Sequence, residues 1–183
     1  MNINGLWAKA DDLKEEYPKL TNTACMAFVE AKINQNGKAP ALHPFKSHSF
    51  PFTPVSSGVV VYSAVSCRSL KKYCVTADEG SMITFCQLCV EGLPFVLGVA
   101  YLRPGRPAGV TEKILRAIER VLHLDLPLLL LGDFNSRHPQ FGDKVKPSSD
   151  ANKLVSFFTG NNLGIGAGSS CVVGSSSLLH GYR

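Results

Sequence analysis

Charge is scarce in this 183-residue sequence: 18% of residues are Asp, Glu, Lys or Arg, against 45% that are hydrophobic. That balance excludes a chain too polar to bury a core. There are no internal repeats, and a domain this long can bury about 70% of the surface its unfolded chain exposes. Residues 1–183 are therefore read as a single domain with a core of its own. The six cysteines are even in number, but a chain this long and apolar needs no disulfide staples. No secretory leader precedes Asn2, which places the expected compartment inside the cell, where thiols stay reduced.

Metal-binding and cofactor patterns are also sparse. Cys86 and Cys89 have a zinc-like spacing, but strand alternation sends their thiols to opposite faces and no second Cys/His pair follows. His43, His48, His123, His138 and His180 form no ligand spacing. Gly164-Ile165-Gly166-Ala167-Gly168 is followed by no helical pattern, so a dinucleotide fingerprint is excluded. The stretch from Ile83 to Leu102 carries one charge, Glu91, but Glu91-Gly92-Leu93-Pro94 divides it into two strands joined by a turn, and no membrane partner is expected.

What is present is an interleaving of strands and helices. Met1 to Gly5 reads as the tail of a strand. A helix carrying Ala10, Leu13 and Tyr17 on one face follows and ends at Pro18, and a short apolar strand from about Ala24 to Val29 delivers Glu30. Residues 34–56, with Pro40, Pro44, Pro51 and Pro54, read as a long surface loop. Strands resume at Gly58–Tyr62 and Lys71–Thr76 and continue through the hairpin to Tyr101. Thr111 is placed to cap a helix whose stripe is Ile114, Leu115, Ile118, Val121 and Leu122. Leu126 to Leu131 reads as a buried strand ending at Gly132. A third helix spans about Ser149 to Thr159, and residues 164–183 form a Gly/Ser-rich tail without an obvious closing strand. The class is α+β: a layered sandwich with helices outside mixed sheets.

The residues with chemical potential sit at strand ends. After Gly132, extended backbone puts Asp133 and Asn135 on one side and returns Phe134 to the core. A carboxylate beside a carboxamide can orient a nucleophile and donate to a phosphoryl oxygen, and the same residues are also good turn formers. Glu30 is a hard carboxylate of the kind that holds Mg2+ or Mn2+, or else a solvated strand terminus. Asn2 and Asn4 share a face of the opening strand, and Tyr101 can present a phenol to a phosphate. Lys and Arg exceed Asp and Glu by 19 to 14, which permits a polyanionic partner without requiring one. Arg103, Arg106, Arg137, Lys144 and Lys146 lie in loops that contact phosphate if they share one rim, with His138 near its mouth.

In chain order, Asn2-Ile3-Asn4-Gly5-Leu6, Val29-Glu30-Ala31-Lys32, Gly58-Val59-Val60-Val61-Tyr62, Tyr101-Leu102-Arg103-Pro104 and Gly132-Asp133-Phe134-Asn135 together resemble the endonuclease/exonuclease/phosphatase superfamily. The continuation through His138-Pro139 to Phe141-Gly142 resembles the endonuclease domain of non-long-terminal-repeat retrotransposons. The resemblance runs from Asn2 to about Leu163 and implies a four-layer α/β/β/α sandwich with its last strands incomplete. It implies that Glu30 binds Mg2+ or Mn2+ with Asn2 beside it, that Asp133 orients the attacking water, and that Asn135 and Tyr101 meet the scissile phosphate. Arg103, Arg137 and His138 are then the nucleic-acid contacts. The implied reaction is hydrolysis of a DNA phosphodiester, with a reverse-transcriptase domain as partner in a longer polyprotein and the nucleus as its place of action.

One part of that pattern is missing. The late-strand aspartate and the closing Ser-Asp-His-type box have no counterpart, since His180 has no acidic neighbour. A histidine of that kind contributes typically about 10²–10⁴-fold to water activation, so weak or absent nuclease activity is expected. A non-catalytic module of the same fold, binding nucleic acid or protein, is the alternative.

Overall fold

The first sheet is built around Val59-Val60-Val61-Tyr62, a run of β-branched and aromatic residues. Its strands are β1 (Cys25–Val29), β2 (Lys46–Ser49) and β3 (Val59–Ser63), paired antiparallel in the order β1-β3-β2, with β3 buried along its whole length. The computed structural model describes residues 2–16, 23–33, 37–50, 58–144, 146–166 and 171–175. Tyr17, Pro18, Pro51, Pro54 and His180 lie outside the described residues. The opening strand is reduced to one parallel bridge, Asn2 to Val29, because Asn4 and Gly5 adopt φ of 45° and 109° and turn the chain away. This bridge supplies the only parallel pairing in the first sheet among the described residues.

The second sheet holds β4 (Arg68–Thr76), β5 (Met82–Val90), β6 (Leu93–Tyr101), β7 (Leu128–Asp133), β8 (Leu163–Gly166) and β9 (Cys171–Ser175), in the order β4-β5-β6-β7-β9-β8. It is mixed. The β6–β7 pair is parallel and needs a crossover, which the helix Val110–Leu122 provides. The turn between β5 and β6 is Glu91-Gly92 alone, with φ of 51° and 84°, matching the right-handed twist of a two-residue hairpin. Pro94 is tolerated in β6 because β7 pairs with that strand only from Val96 onward.

Among the described residues three α-helices complete the layers: α1 (Ala10–Glu16), preceded by a 3-10 turn at Trp7–Lys9, α2 (Val110–Leu122) and α3 (Ser149–Gly160). Strand alternation distributes the apolar residues to three cores. Ala27, Val29, Val59 and Val61 meet Cys86, Leu88, Leu97 and Val99 between the sheets. Phe28, Val60 and Tyr62 face outward to Leu6 and Leu13. Ile83, Phe85, Leu128 and Leu130 pack on Ile114, Ile118, Leu154 and Phe158. Each fully buried aliphatic or aromatic side chain stabilises the fold by about 1.5–3 kcal/mol relative to exposure. The result is the expected four-layer α/β/β/α sandwich.

Four sequence expectations need correction. Residues 34–56 are not only loop, since Lys46–Ser49 pairs with β3 at the sheet edge. Its side chains, Lys46-Ser47-His48-Ser49, lack apolar alternation because an edge strand has little to bury, and the flanking Leu42 and Phe50 are buried in the core instead. Thr111 does not cap α2: Gly109 is the cap, with no side-chain bond, and Thr111 is buried and accepts from Arg106. The Gly/Ser-rich segment expected to lack a closing strand supplies β9 and, with Leu163, β8; Leu163 and Ile165 pack on the core with only Gly164 between them, too short a pattern to mark a strand. The strand expected from Leu126 begins at Leu128, since Pro127 has no N–H to give and its carbonyl instead accepts from Val96.

Candidate active site

The polar strand-end residues meet where β1, β6 and β7 finish together. Parallel register sets Tyr101 opposite Asp133, and β1 packs over both β6 and β7. Glu30 has φ of 52°, so the chain leaves the sheet immediately after Val29 and turns the carboxylate to the lip. The Asn2 bridge and a 2.8 Å bond from the Gly5 amide to the Glu30 carbonyl hold the N-terminal segment against this end.

Two side-chain pairs define the geometry. The Tyr101 hydroxyl donates to Glu30 Oε1 at 2.6 Å. Asn2 Nδ2 donates to Asp133 Oδ2 at 3.2 Å, and the Asn135 amide donates to Asp133 Oδ1 at 3.0 Å. Burial foremost, then the bond to Glu30 and the nearby charges of Glu30 and Asp133, push the Tyr101 phenol well above its ordinary value near 10. It is therefore a hydrogen-bond donor at any physiological pH.

Phe134 is buried in the core, as expected. Asn135 is not the extended neighbour the alternation argument describes. Its φ is 44°, and its carboxamide donates to the Leu102 carbonyl at 2.9 Å, which leaves one of its two N–H bonds for a ligand. Asn4 likewise does not share an extended face with Asn2; its amide donates to Asn2 Oδ1 at 3.3 Å. Asn2, Glu30, Tyr101, Asp133 and Asn135 are nevertheless gathered at one lip by these bonds and by the strand register.

The basic residues divide into two kinds. Arg103 donates through Nε to Asp78 Oδ2 at 3.0 Å, so part of its fork is already engaged. Burial opposes ionisation of Asp78, but the Gly80 and Ser81 amides and the Arg103 guanidinium outweigh it and hold the carboxyl below its usual range. Arg106 is the larger departure: its side chain is 4% exposed and lies 3.0 Å from Asp150, so it is not a rim residue. Arg137, Lys144 and Lys146 are exposed. His138 caps the short 3-10 helix Pro139–Phe141, accepting from the Gln140 amide at 3.0 Å through Nδ1. Sequence reasoning missed the Asp78 and Asp150 carboxylates, because each meets its arginine only through tertiary packing.

Among the described residues, no three or more His, Cys, Asp or Glu side chains cluster as metal ligands. The donors at the lip are oxygens: the Glu30 and Asp133 carboxylates and Asn2 Oδ1. That set fits a hard cation such as Mg2+, which keeps several waters and takes one or two carboxylates. It does not suit a thiol- or imidazole-bound metal.

Solved structures share this architecture. The endonuclease domain of TRAS1, a telomere-specific non-LTR retrotransposon, superposes with a TM-score of 0.72 at 14% identity, over 97% of this chain and 83% of that one. An endonuclease/exonuclease/phosphatase family protein from Bacteroides thetaiotaomicron matches with a TM-score of 0.60 at 9% identity, over 95% and 76%. The chain has the endonuclease/exonuclease/phosphatase fold. The Xenopus laevis APE2 catalytic domain shares that fold with a TM-score of 0.66 at 17% identity, over 98% of this chain and 82% of the other. No protein-family profile and no curated protein matches the sequence. In this fold Asn2, Glu30, Tyr101, Asp133 and Asn135 lie together at one lip of the sandwich. No helix among the described residues is long and apolar enough to cross a membrane.

Proposed function

We propose that this chain is a phosphodiester hydrolase of retroelement endonuclease type, acting on DNA at the lip formed by Glu30, Asp133, Asn135, Tyr101 and Asn2. The observation that carries the reading is the convergence of Glu30 and Asp133, from distant parts of the sequence, on a single phenol: Tyr101 bonds the first and stands in register with the second. The likeness of fold to the TRAS1 endonuclease domain supports it.

Glu30, with Asn2 beside it, would hold Mg2+ or Mn2+, which supplies Lewis-acid stabilisation of charge on the phosphate. Asp133 accepts a hydrogen bond from the attacking water and takes its proton as the water oxygen bonds to phosphorus. The P–O3′ bond breaks in line, and the leaving oxygen takes a proton from solvent water to become a 3′ hydroxyl, while Asp133 returns its proton to solvent. Asn2 and the Asn135 amide hold both Asp133 oxygens, fixing the direction from which the water is engaged. The free N–H of the Asn135 carboxamide donates to a phosphate oxygen, and Tyr101 keeps the Glu30 carboxylate in place. In a retroelement, such a 3′ hydroxyl primes reverse transcription, which fits a reverse-transcriptase domain as partner and a nuclear site of action.

The closing Ser-Asp-His-type box of the resemblance has no counterpart in the sequence, and its histidine contributes typically about 10²–10⁴-fold to water activation. Proton transfer therefore rests on Asp133, and turnover is expected to be slow. Plasmid nicking with Mg2+, comparing the chain with Asp133→Ala, tests the reading. Nicking abolished by the substitution supports it, whereas DNA binding insensitive to the substitution and without nicking indicates a non-catalytic module of the same fold.

A further inference from the structure

We propose that Arg106 is a positioning residue that sets the Asp133–Ser136 turn by committing its whole guanidinium to that turn and to α2 and α3. The proposal rests on the reading of the lip as a hydrolytic site. A guanidinium has five N–H bonds in a rigid fork, and at Arg106 each group of donors has acceptors. Nε donates to Thr111 Oγ1 at 3.0 Å. Nη1 faces the carbonyls of Phe134 at 3.2 Å, Arg103 at 3.4 Å and Asn135 at 3.5 Å. Nη2 donates to Ser136 Oγ at 2.7 Å and to Asp150 Oδ2 at 3.0 Å.

Three consecutive residues after Asp133 thus contribute acceptors to one side chain. Ser136 also donates back to the Phe134 carbonyl at 3.0 Å, closing the turn on itself. Asn135 ties the same turn to the Leu102 carbonyl, so the segments on either side of the site are joined through Arg106 and Asn135 together. Asp150 lies in the first turn of α3 and supplies the charge that a buried guanidinium needs. No donor is left over for phosphate, so Arg106 acts through Asp133 and Asn135 and not on substrate.

A lysine at this position keeps the charge but concentrates its donors on one atom, which cannot reach Thr111, Phe134, Ser136 and Asp150 at once. Displacement of a catalytic group by about 1 Å costs up to about 100-fold in rate. The test compares the full chain with Arg106→Lys by two readouts, Mg2+-dependent nicking and amide hydrogen exchange of residues 132–137. The expected result is a kcat lowered by about 10–100-fold with KM unchanged, and faster exchange confined to that turn while β5 and β6 stay protected. Exchange in the turn equal to wild type overturns the proposal, whatever the nicking rate. A wild-type chain that does not nick removes the hydrolase reading, and the exchange comparison still decides the role of Arg106. If Arg106→Lys does not fold, Asp150→Asn, which keeps an acceptor but loses the charge, is expected to move the exchange in the same direction by less; no change there overturns the proposal.

Discussion

The Tyr101 hydroxyl donates to Glu30 Oε1 at 2.6 Å from a position 71 residues away in the chain. That bond joins the end of a strand in one sheet to the residue that follows a strand in the other, so it ties the two sheets at the lip. Tyr101 is 9% exposed, and the burial that raises its pKa keeps the proton on the phenol. A hydrogen bond to a charged group contributes about 1.5–3 kcal/mol. Tyr101→Phe is expected to lower folding stability by about that amount or somewhat less, because Glu30 can recover water at the lip. Denaturant midpoints of the two proteins measure it, and coincident midpoints contradict the role assigned to the bond.

Gly132 is the residue on which the approach of β7 to β6 depends. A Cβ at this position would stand 2.1 Å from the Ala100 carbonyl oxygen and 2.9 Å from the Ala100 nitrogen. Both are backbone atoms in the parallel pair that sets Tyr101 beside Asp133, so neither can swing away as a side-chain tip would. Overpacking of this kind costs about 1–3 kcal/mol or more. Gly132→Ala should therefore lower the unfolding free energy by at least about 2 kcal/mol, read from urea or guanidinium titration. A variant as stable as the parent would mean that the strands separate more easily than the register implies.

Much of this arrangement was legible in the residues, for physical reasons that also mark where legibility ended. Ile114, Ile118 and Val121 at helical spacing specify α2, and Val59-Val60-Val61-Tyr62 specifies a buried strand, because burial imposes a period that the sequence must carry. Glu30 and Asp133 were visible as acids delivered by apolar strands. The edge strand Lys46–Ser49 was not, since backbone pairing at an edge leaves little trace in side-chain polarity, and β8 and β9 were not, since they are short and interrupted by glycine. Extended alternation also misplaced Asn135, whose φ of 44° belongs to a turn. The role of Arg106 was hidden because Asp150, Thr111 and Ser136 are brought to it by three different segments.

The division between engaged and free basic residues has a consequence for DNA binding. Arg137 is exposed and has no carboxylate partner among the described residues, whereas Arg103 is paired with Asp78. A side chain that neutralises one phosphate steepens the fall of log K with log salt by about 1. Arg137→Ala is expected to weaken binding to duplex DNA at low salt and to reduce that slope by about 1. Arg103→Ala is expected to act chiefly on the loop that Asp78 organises, lowering stability with a smaller change in slope. Fluorescence titrations at several salt concentrations distinguish the two, and equal slopes for all three proteins would remove Arg137 from the interface.

His48 gives the fold a predictable response to acid. Its ring faces the buried Ser63 hydroxyl at 3.0 Å. Burial first, then the positive charges of Lys72 and Lys46, hold its pKa below the ordinary 6.5. The unfolded chain therefore binds a proton at His48 more readily than the folded chain does, and stability rises with pH across that interval. The contribution is fully present above the unfolded value and is lost as pH falls towards the folded one. Thermal unfolding at about pH 7.5 and about pH 5.5 should show the protein less stable at the lower value, with part of the difference absent from His48→Gln, whose side chain stays neutral throughout. Identical pH dependence in the two proteins would show that β2 accommodates an imidazolium beside Lys46 and Lys72 without cost.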